Sequence, residues 1–229
     1  CSKSSASAGV SMKWIESGCA FIEVNSKGQN RIIVSAGTNR MYTEEYIKNV
    51  LEKAEAGDFV LLQNEINMVG EIIRLSHEKG CRVVFNASPI PGKPEELPLE
   101  LVDIFMVNEL EAAALAGTST EGDFRDILKA LQKKYPKAAI VMTLGKEGVF
   151  YGYKEEFYSH PIFKVNAVDT TAAGDTFCGY FLAALCAEKS VETALREASA
   201  ASAMAVSAKG AAPSIPVHSA VEEWLCGRS

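Results

Sequence analysis

A carboxylate at the mouth of a helix, just behind three small residues, is the feature of this sequence best suited to chemistry. It lies in Val168-Asp169-Thr170-Thr171-Ala172-Ala173-Gly174-Asp175-Thr176-Phe177. Thr170 and Thr171 are poor helix formers and good capping residues. Ala172, Ala173 and Gly174 leave room for another group to approach the main chain. Beyond Asp175 the residues Phe177, Tyr180, Phe181, Ala184 and Leu185 recur at helical spacing, which predicts a buried helix after the loop. The first N–H groups of a helix have no partner within it, and with the helix dipole they attract a phosphate or another anion. Asp175 repels an anion held at that end. The pairing makes sense if the aspartate takes a proton from a nucleophile while the amides hold the charge on a transferring phosphoryl group. A blander reading stands beside it: Asp175 caps the helix, and Ala-Ala-Gly only packs tightly.

The elements that would position this loop alternate between helix and strand. Thr43 caps a helix that includes Tyr46, Ile47, Val50 and Leu51, and Phe59 to Gln63 is a buried strand. A helix over Val69 to Glu78 leads to a strand from Cys81 to Asn86. A turn-rich connector, Ser88 to Pro94, leads through a short helical piece to a strand over Val102 to Val107. Asp123 to Tyr135 is an amphipathic helix, Ala138 to Leu144 a core strand, and Gly145 to Gly148 a turn into Val149-Phe150-Tyr151. An alanine-rich helix over Val191 to Ser207 and a closing helix over Val217 to Leu225 follow the central loop. Such alternation implies a parallel sheet covered by helices, with binding groups where strands end. Polar clusters occupy those ends: Gln63-Asn64-Glu65, Asn86 and Asn108-Glu109-Leu110-Glu111. The last could hold a hydrated Mg²⁺ or simply begin a helix, and composition does not choose between them. Upstream, Gly18 to Ser35 predicts a β-hairpin turning at Asn25 to Gly28, a ribbon too small to stand alone in water.

Composition narrows the function classes. A formal net charge of -6 without a Lys/Arg cluster argues against nucleic-acid binding. No apolar run is long enough for a membrane helix. The six cysteines are scattered with no CxxC pair, which points to reduced thiols and a cytoplasmic setting. His77, His160 and His218 are far apart and form no metal-ligand pattern. The spacing of a P-loop is absent.

Asp169 to Gly179, with Asn-Glu-x-Glu at Asn108 to Glu111 and Lys-Gly-Ala-x-Pro-Ser at Lys209 to Ser214, resembles the signatures of the ribokinase-like sugar kinases, the phosphofructokinase-B family. Ala172 stands where most of that family has glycine, and Ala-Ala-Gly-Asp points toward its ribokinase branch. The resemblance runs from about Gly9 onward. It implies an α/β fold: a ribokinase-like three-layer α/β/α sandwich with a mostly parallel central sheet and a small β-lid hairpin. Residues 1–9 would be a disordered or foreign lead, 10–38 the lid strands and connector, and 39–229 the kinase core with the nucleotide site. The implied activity is ATP-dependent transfer of a phosphoryl group to the primary hydroxyl of D-ribose. Asp175 would be the catalytic base and touch the sugar, with the amides of Ala172, Ala173 and Gly174 as anion hole. Asn108, Thr143, Gly145 and Gly174 would meet ATP, and Glu65 the sugar, beside the loop Asn86-x-x-Pro89. Asn108 and Glu111 would shape the Mg²⁺ environment. Asp169, Thr171, Ala205, Ala208, Gly210 and Ser214 would surround K⁺. The lid would pair two copies into a homodimer.

The family's first strand, with its Asn-x-Asp sugar contact and Gly-Gly-Lys loop, is absent here. That implies an N-terminally truncated chain that binds sugar poorly by itself. The signature also serves kinases of fructose, adenosine, ketodeoxygluconate and vitamin B6 precursors. A catalytically silent nucleotide-binding or dimerising module is the alternative from another class.

Overall fold

The structure, a computed structural model, describes residues 16–24 and 30–228. The lead at 1–9 and the turn at 25–28 lie outside the described residues. Two units divide the chain, the first ending at Asp103 and the second beginning at Ile104.

In the first unit, β1 (Cys19–Val24) pairs antiparallel with β2 (Asn30–Ser35), from Cys19 opposite Ser35 to Val24 opposite Asn30. This is the expected hairpin. It leaves Phe21, Ile33 and Val34 exposed at 64%, 55% and 67%, more apolar surface than a marginal two-stranded ribbon normally shows to water. Gly37 follows at φ +50°, and a Cβ there would stand 2.4 Å from the Glu16 carbonyl oxygen, so only glycine fits.

α1 (Glu44–Leu51) begins where the Thr43 hydroxyl accepts the Tyr46 N–H at 3.2 Å. It buries Ile47 and Leu51. β3 (Phe59–Gln63), α2 (Val69–Glu78) and β4 (Arg82–Asn86) then form one strand–helix–strand unit. β3 and β4 are parallel, with Phe59 opposite Arg82 and Gln63 opposite Asn86. Ile73, Val83, Val84 and Phe85 are wholly buried. Each such side chain contributes about 1.5–3 kcal/mol on leaving water. The Asn67 side chain clamps the Tyr42 main chain from both sides, accepting its N–H at 3.0 Å and donating to its carbonyl at 2.8 Å.

The second unit opens with β5 (Ile104–Asn108) and α3 (Glu109–Ala116), followed by α4 (Phe124–Lys134) and β6 (Ala139–Thr143). β5 starts two residues later than the sequence pattern suggests, because Val102 still closes a 3-10 turn over Leu99–Leu101. β5 and β6 run parallel, and their apolar residues are buried without alternation, as strands covered on both faces should be. β7 (Val149–Tyr153) and β8 (Glu156–His160) continue antiparallel, so β8 runs the same way as β5 and β6. β8 was not legible in sequence: Glu-Phe-Tyr-Ser-His mixes exposed polar and apolar residues and lacks a clean period.

α5 (Ala173–Cys186), α6 (Val191–Val206) and α7 (His218–Cys226) complete the chain. α5 and α6 pack on each other. Ala194, Ala198, Ala201 and Ala205 are buried on α6, and Phe177 and Phe181 on α5; small residues on one helix let the large ones of the other come close. Among the described residues no helix is long and apolar enough to cross a membrane.

Candidate active site

Two helix entrances in the second unit are built in opposite ways. At the first, Asn108 ends β5 opposite Thr143 on β6. Its Oδ1 accepts the Glu111 N–H at 2.9 Å, and Glu111 Oε2 accepts the Asn108 N–H at 2.9 Å. This capping box fills two main-chain donors that α3 would otherwise leave open. Glu111 is buried. The helix-start reading of Asn108-Glu109-Leu110-Glu111 therefore describes its local geometry, and any Mg²⁺ role for Asn108 or Glu111 has to coexist with that cap. Nearby, the Thr143 hydroxyl leans on the Val107 carbonyl at a long 3.4 Å, and Gly145 is exposed at φ +49° at the head of a 3-10 turn.

The entrance to α5 has no such closure. Its N-cap is Ala172, which makes no side-chain cap. The N–H groups of Ala172 and Gly174 find no acceptor among the described residues. The Ala173 N–H, expected in the anion hole, donates instead to the Thr170 carbonyl at 3.2 Å. The turn into the helix consumes that donor, so the donors left without an acceptor among the described residues are those of the buried Ala172 and the exposed Gly174. Gly174 is exposed, and a Cβ built on it would meet nothing within 4 Å. Asp175 is exposed in the first turn, and α5 is anchored beyond it by the buried Thr176, Phe177 and Phe181.

The loop before α5 is held from a distance. The Val168 and Asp169 N–H groups both reach the Val206 carbonyl, at 2.7 and 3.1 Å. Asp169 Oδ1 accepts the Thr171 hydroxyl at 2.5 Å and the Thr171 N–H at 3.0 Å. Its Oδ2 accepts the Gly210 N–H at 3.1 Å. The Thr171 hydroxyl first, then the Gly210 and Thr171 amides, hold the Asp169 carboxyl below the usual range, because each favours the charged form.

Asp169, Thr171 and Gly210 are thus brought together. Ala205, Ala208 and Ser214 lie along the end of α6 and the connector that carries Gly210. The Ala205 carbonyl accepts the Ala208 N–H at 3.1 Å, and the buried Ser214 donates its hydroxyl to the Ala211 carbonyl at 2.8 Å. The six residues can offer only oxygen, a donor set that suits a hard cation. Among the described residues no group of three or more His, Cys, Asp or Glu is arranged to hold a metal.

Glu65 belongs to the first unit, exposed just beyond β3. Its neighbour Asn64 ties this end of β3 to the loop after β4: the Asn64 N–H reaches the Ser88 carbonyl and its Nδ2 the Pro89 carbonyl, both at 3.0 Å. The two segments expected beside a sugar are therefore joined by main-chain carbonyls.

Two contributors escaped the sequence reading. The Ser202 hydroxyl donates to the Ala173 carbonyl at 3.0 Å, and the Tyr180 hydroxyl donates to the Pro216 carbonyl at 2.6 Å. Within a run of small residues Ser202 reads as packing, and Tyr180 reads as part of an apolar helix face.

Comparison with known proteins bears on the same elements. The profile of the pfkB family carbohydrate kinases matches residues 7–218. Ribokinase of Haemophilus influenzae is 36% identical over 212 residues, which cover 91% of this chain and 69% of that protein. The crystal structure of ribokinase from Thermotoga maritima superposes with a TM-score of 0.80 at 36% identity, covering 93% of this chain and 70% of the other. Arabidopsis thaliana ribokinase, solved in complex with ribose and ATP, gives a TM-score of 0.77 at 31% identity over 91% of this chain and 69% of its own. The fold class expected from the sequence, ribokinase-like α/β with a small antiparallel ribbon, is the one these structures share.

Proposed function

We propose that this chain, which belongs to the pfkB family of carbohydrate kinases, transfers the γ-phosphoryl group of ATP to the primary hydroxyl of D-ribose, giving ribose 5-phosphate and ADP. It is a phosphotransferase with a sugar hydroxyl as acceptor. The observation that carries the finer reading is the uncapped entrance of α5, with open Ala172 and Gly174 amides and the exposed Asp175 carboxylate in the same turn.

Asp175 takes the proton of the attacking hydroxyl. The Ala172 and Gly174 N–H groups hold the transferring phosphoryl. Phosphoryl transfer asks a protein mainly for positioning and charge stabilisation, so few reactive side chains suffice. Thr143 and Gly145 lie at the carboxyl end of β6, where they meet the nucleotide, with Asn108 on the neighbouring strand. Mg²⁺ usually binds through phosphates, waters and one or two carboxylates, and supplies neutralisation of phosphate charge. Glu111, already engaged in its cap, would reach it through water. Asp169, Thr171, Ala205, Ala208, Gly210 and Ser214 would hold K⁺, whose contribution is to fix the shape of the loop before α5. Glu65 faces the sugar. The exposed Phe21, Ile33 and Val34 on the β1–β2 ribbon suit a lid that pairs with a second copy.

ATP turnover across a panel of sugars, with and without K⁺, tests this reading. A rate that needs ribose and rises with K⁺ supports it. A rate with fructose, adenosine or ketodeoxygluconate instead moves the substrate within the family. Nucleotide binding without turnover replaces the enzyme by a binding module.

A further inference from the structure

We propose that Ser202 is a positioning residue for the anion site: it holds the Ala173 carbonyl and thereby aims the Gly174 N–H. This inference rests on the proposed phosphoryl role of the α5 entrance. A trans peptide is planar, so the carbonyl of one residue and the N–H of the next point in opposite directions. Fixing the Ala173 oxygen therefore fixes the Gly174 hydrogen. The α5 ladder supplies one restraint, since the Phe177 N–H meets the Ala173 carbonyl one turn on, and Ser202 adds a second from outside the helix. The N-cap residue Ala172 has no polar side chain, the Ala173 N–H is turned back to Thr170 O, and glycine at 174 is the most permissive residue the main chain can carry.

The Ser202 hydroxyl reaches the Ala173 carbonyl at 3.0 Å from another helix, 29 positions along the chain. That is not what a serine inside a helix ordinarily does. Such a hydroxyl usually bonds the carbonyl one turn back in its own helix, as Ser207 does with Ala203 at 2.8 Å at the end of the same helix. Ser202 turns outward to the neighbouring helix instead. The reach depends on close packing: Ala198, Ala201 and Ala205 are buried around it on α6 and leave no bulk to hold α5 away. The arrangement makes α6 a brace for one main-chain donor.

The test is Ser202→Ala beside Ser202→Thr. Alanine is the better helix former, so the Ala variant folds, and circular dichroism checks that it does. One neutral hydrogen bond is being removed, so kcat falls by about three- to tenfold while the KM for sugar stays put. The preference for ATP over ADP, measured by titration without sugar, shrinks by the same factor, because only ATP carries the phosphoryl group that the Gly174 amide meets. Ser202→Thr keeps the hydroxyl and retains both values. An unchanged kcat and an unchanged ATP preference in Ser202→Ala overturn the inference. So does an equal loss in Ser202→Thr, which would trace the effect to packing. The kinase reading fails separately, through Asp175→Ala keeping full turnover or the parent chain showing neither turnover nor a preference for ATP.

Discussion

The entrances of α3 and α5 start from the same problem and solve it oppositely. Both follow a loop or strand end in the second unit, both carry an acidic residue in the first turn, and both have main-chain donors to satisfy. At α3, Asn108 and Glu111 satisfy them reciprocally, and Glu111 is buried in doing so. At α5, Ala172 offers nothing, two amides stay open, and Asp175 remains exposed. The protein can build a closed helix start from local residues. Leaving one open suits the α5 entrance to the proposed anion site. It also transfers the work of shaping the loop to distant groups: Val206 and Gly210 on the main chain, and Ser202 through its hydroxyl.

The sharpest way to break the contrast is Asp175→Ala. If the exposed residue is the general base, turnover falls roughly 10²–10⁴-fold, while the fold persists, because the buried residues that anchor α5 lie beyond it. A steady-state rate and a melting curve on the same preparation decide it.

Asn108→Ala separates the cap at α3 from the proposed contact with ATP. Losing the cap destabilises the fold by about 0.5–2 kcal/mol, read as a lower urea midpoint. Turnover per folded molecule should hold if Asn108 is only a cap. A loss of turnover beyond the loss of folded protein would place Asn108 against the nucleotide as well.

The smallest effect concerns Asp169. Its folded-state pKa lies below the unfolded value of about 3.9. Its contribution to stability is therefore complete above that value and is lost as pH falls through the folded one. Asp169→Asn should be less stable than the parent at neutral pH, and the gap should close on acidification below about pH 4. Urea midpoints measured from pH 7 downward follow it. A gap that persists in acid would assign the effect to lost geometry, not to charge.

Much of this architecture was legible in the chain. Thr43 and Asp123 mark helix starts by residue type, and each side chain accepts a main-chain N–H in its first turn; Asn108 was left between a helix start and a Mg²⁺ site, and its side chain caps α3. β3, β4 and β6 follow from short apolar runs, since burial on both faces removes alternation. β8 did not follow, because its residues are stabilised by pairing with β7 and not by any period of their own. Within the site, the stretch from Asp169 to Asp175 was visible as small residues before an acid. The occupied Ala173 amide was not visible, because it depends on how the turn at Thr170 closes.

Sequence alone determined most of the order of elements, the family signature and the position of the acid before α5, because propensity, capping and periodicity act within a few residues. Only the tertiary structure decided which amides at α5 stay open and what holds them in place. The loop is held by a hydroxyl and an amide contributed by residues 29 and 41 positions away, and no local rule of the chain records where such partners will arrive.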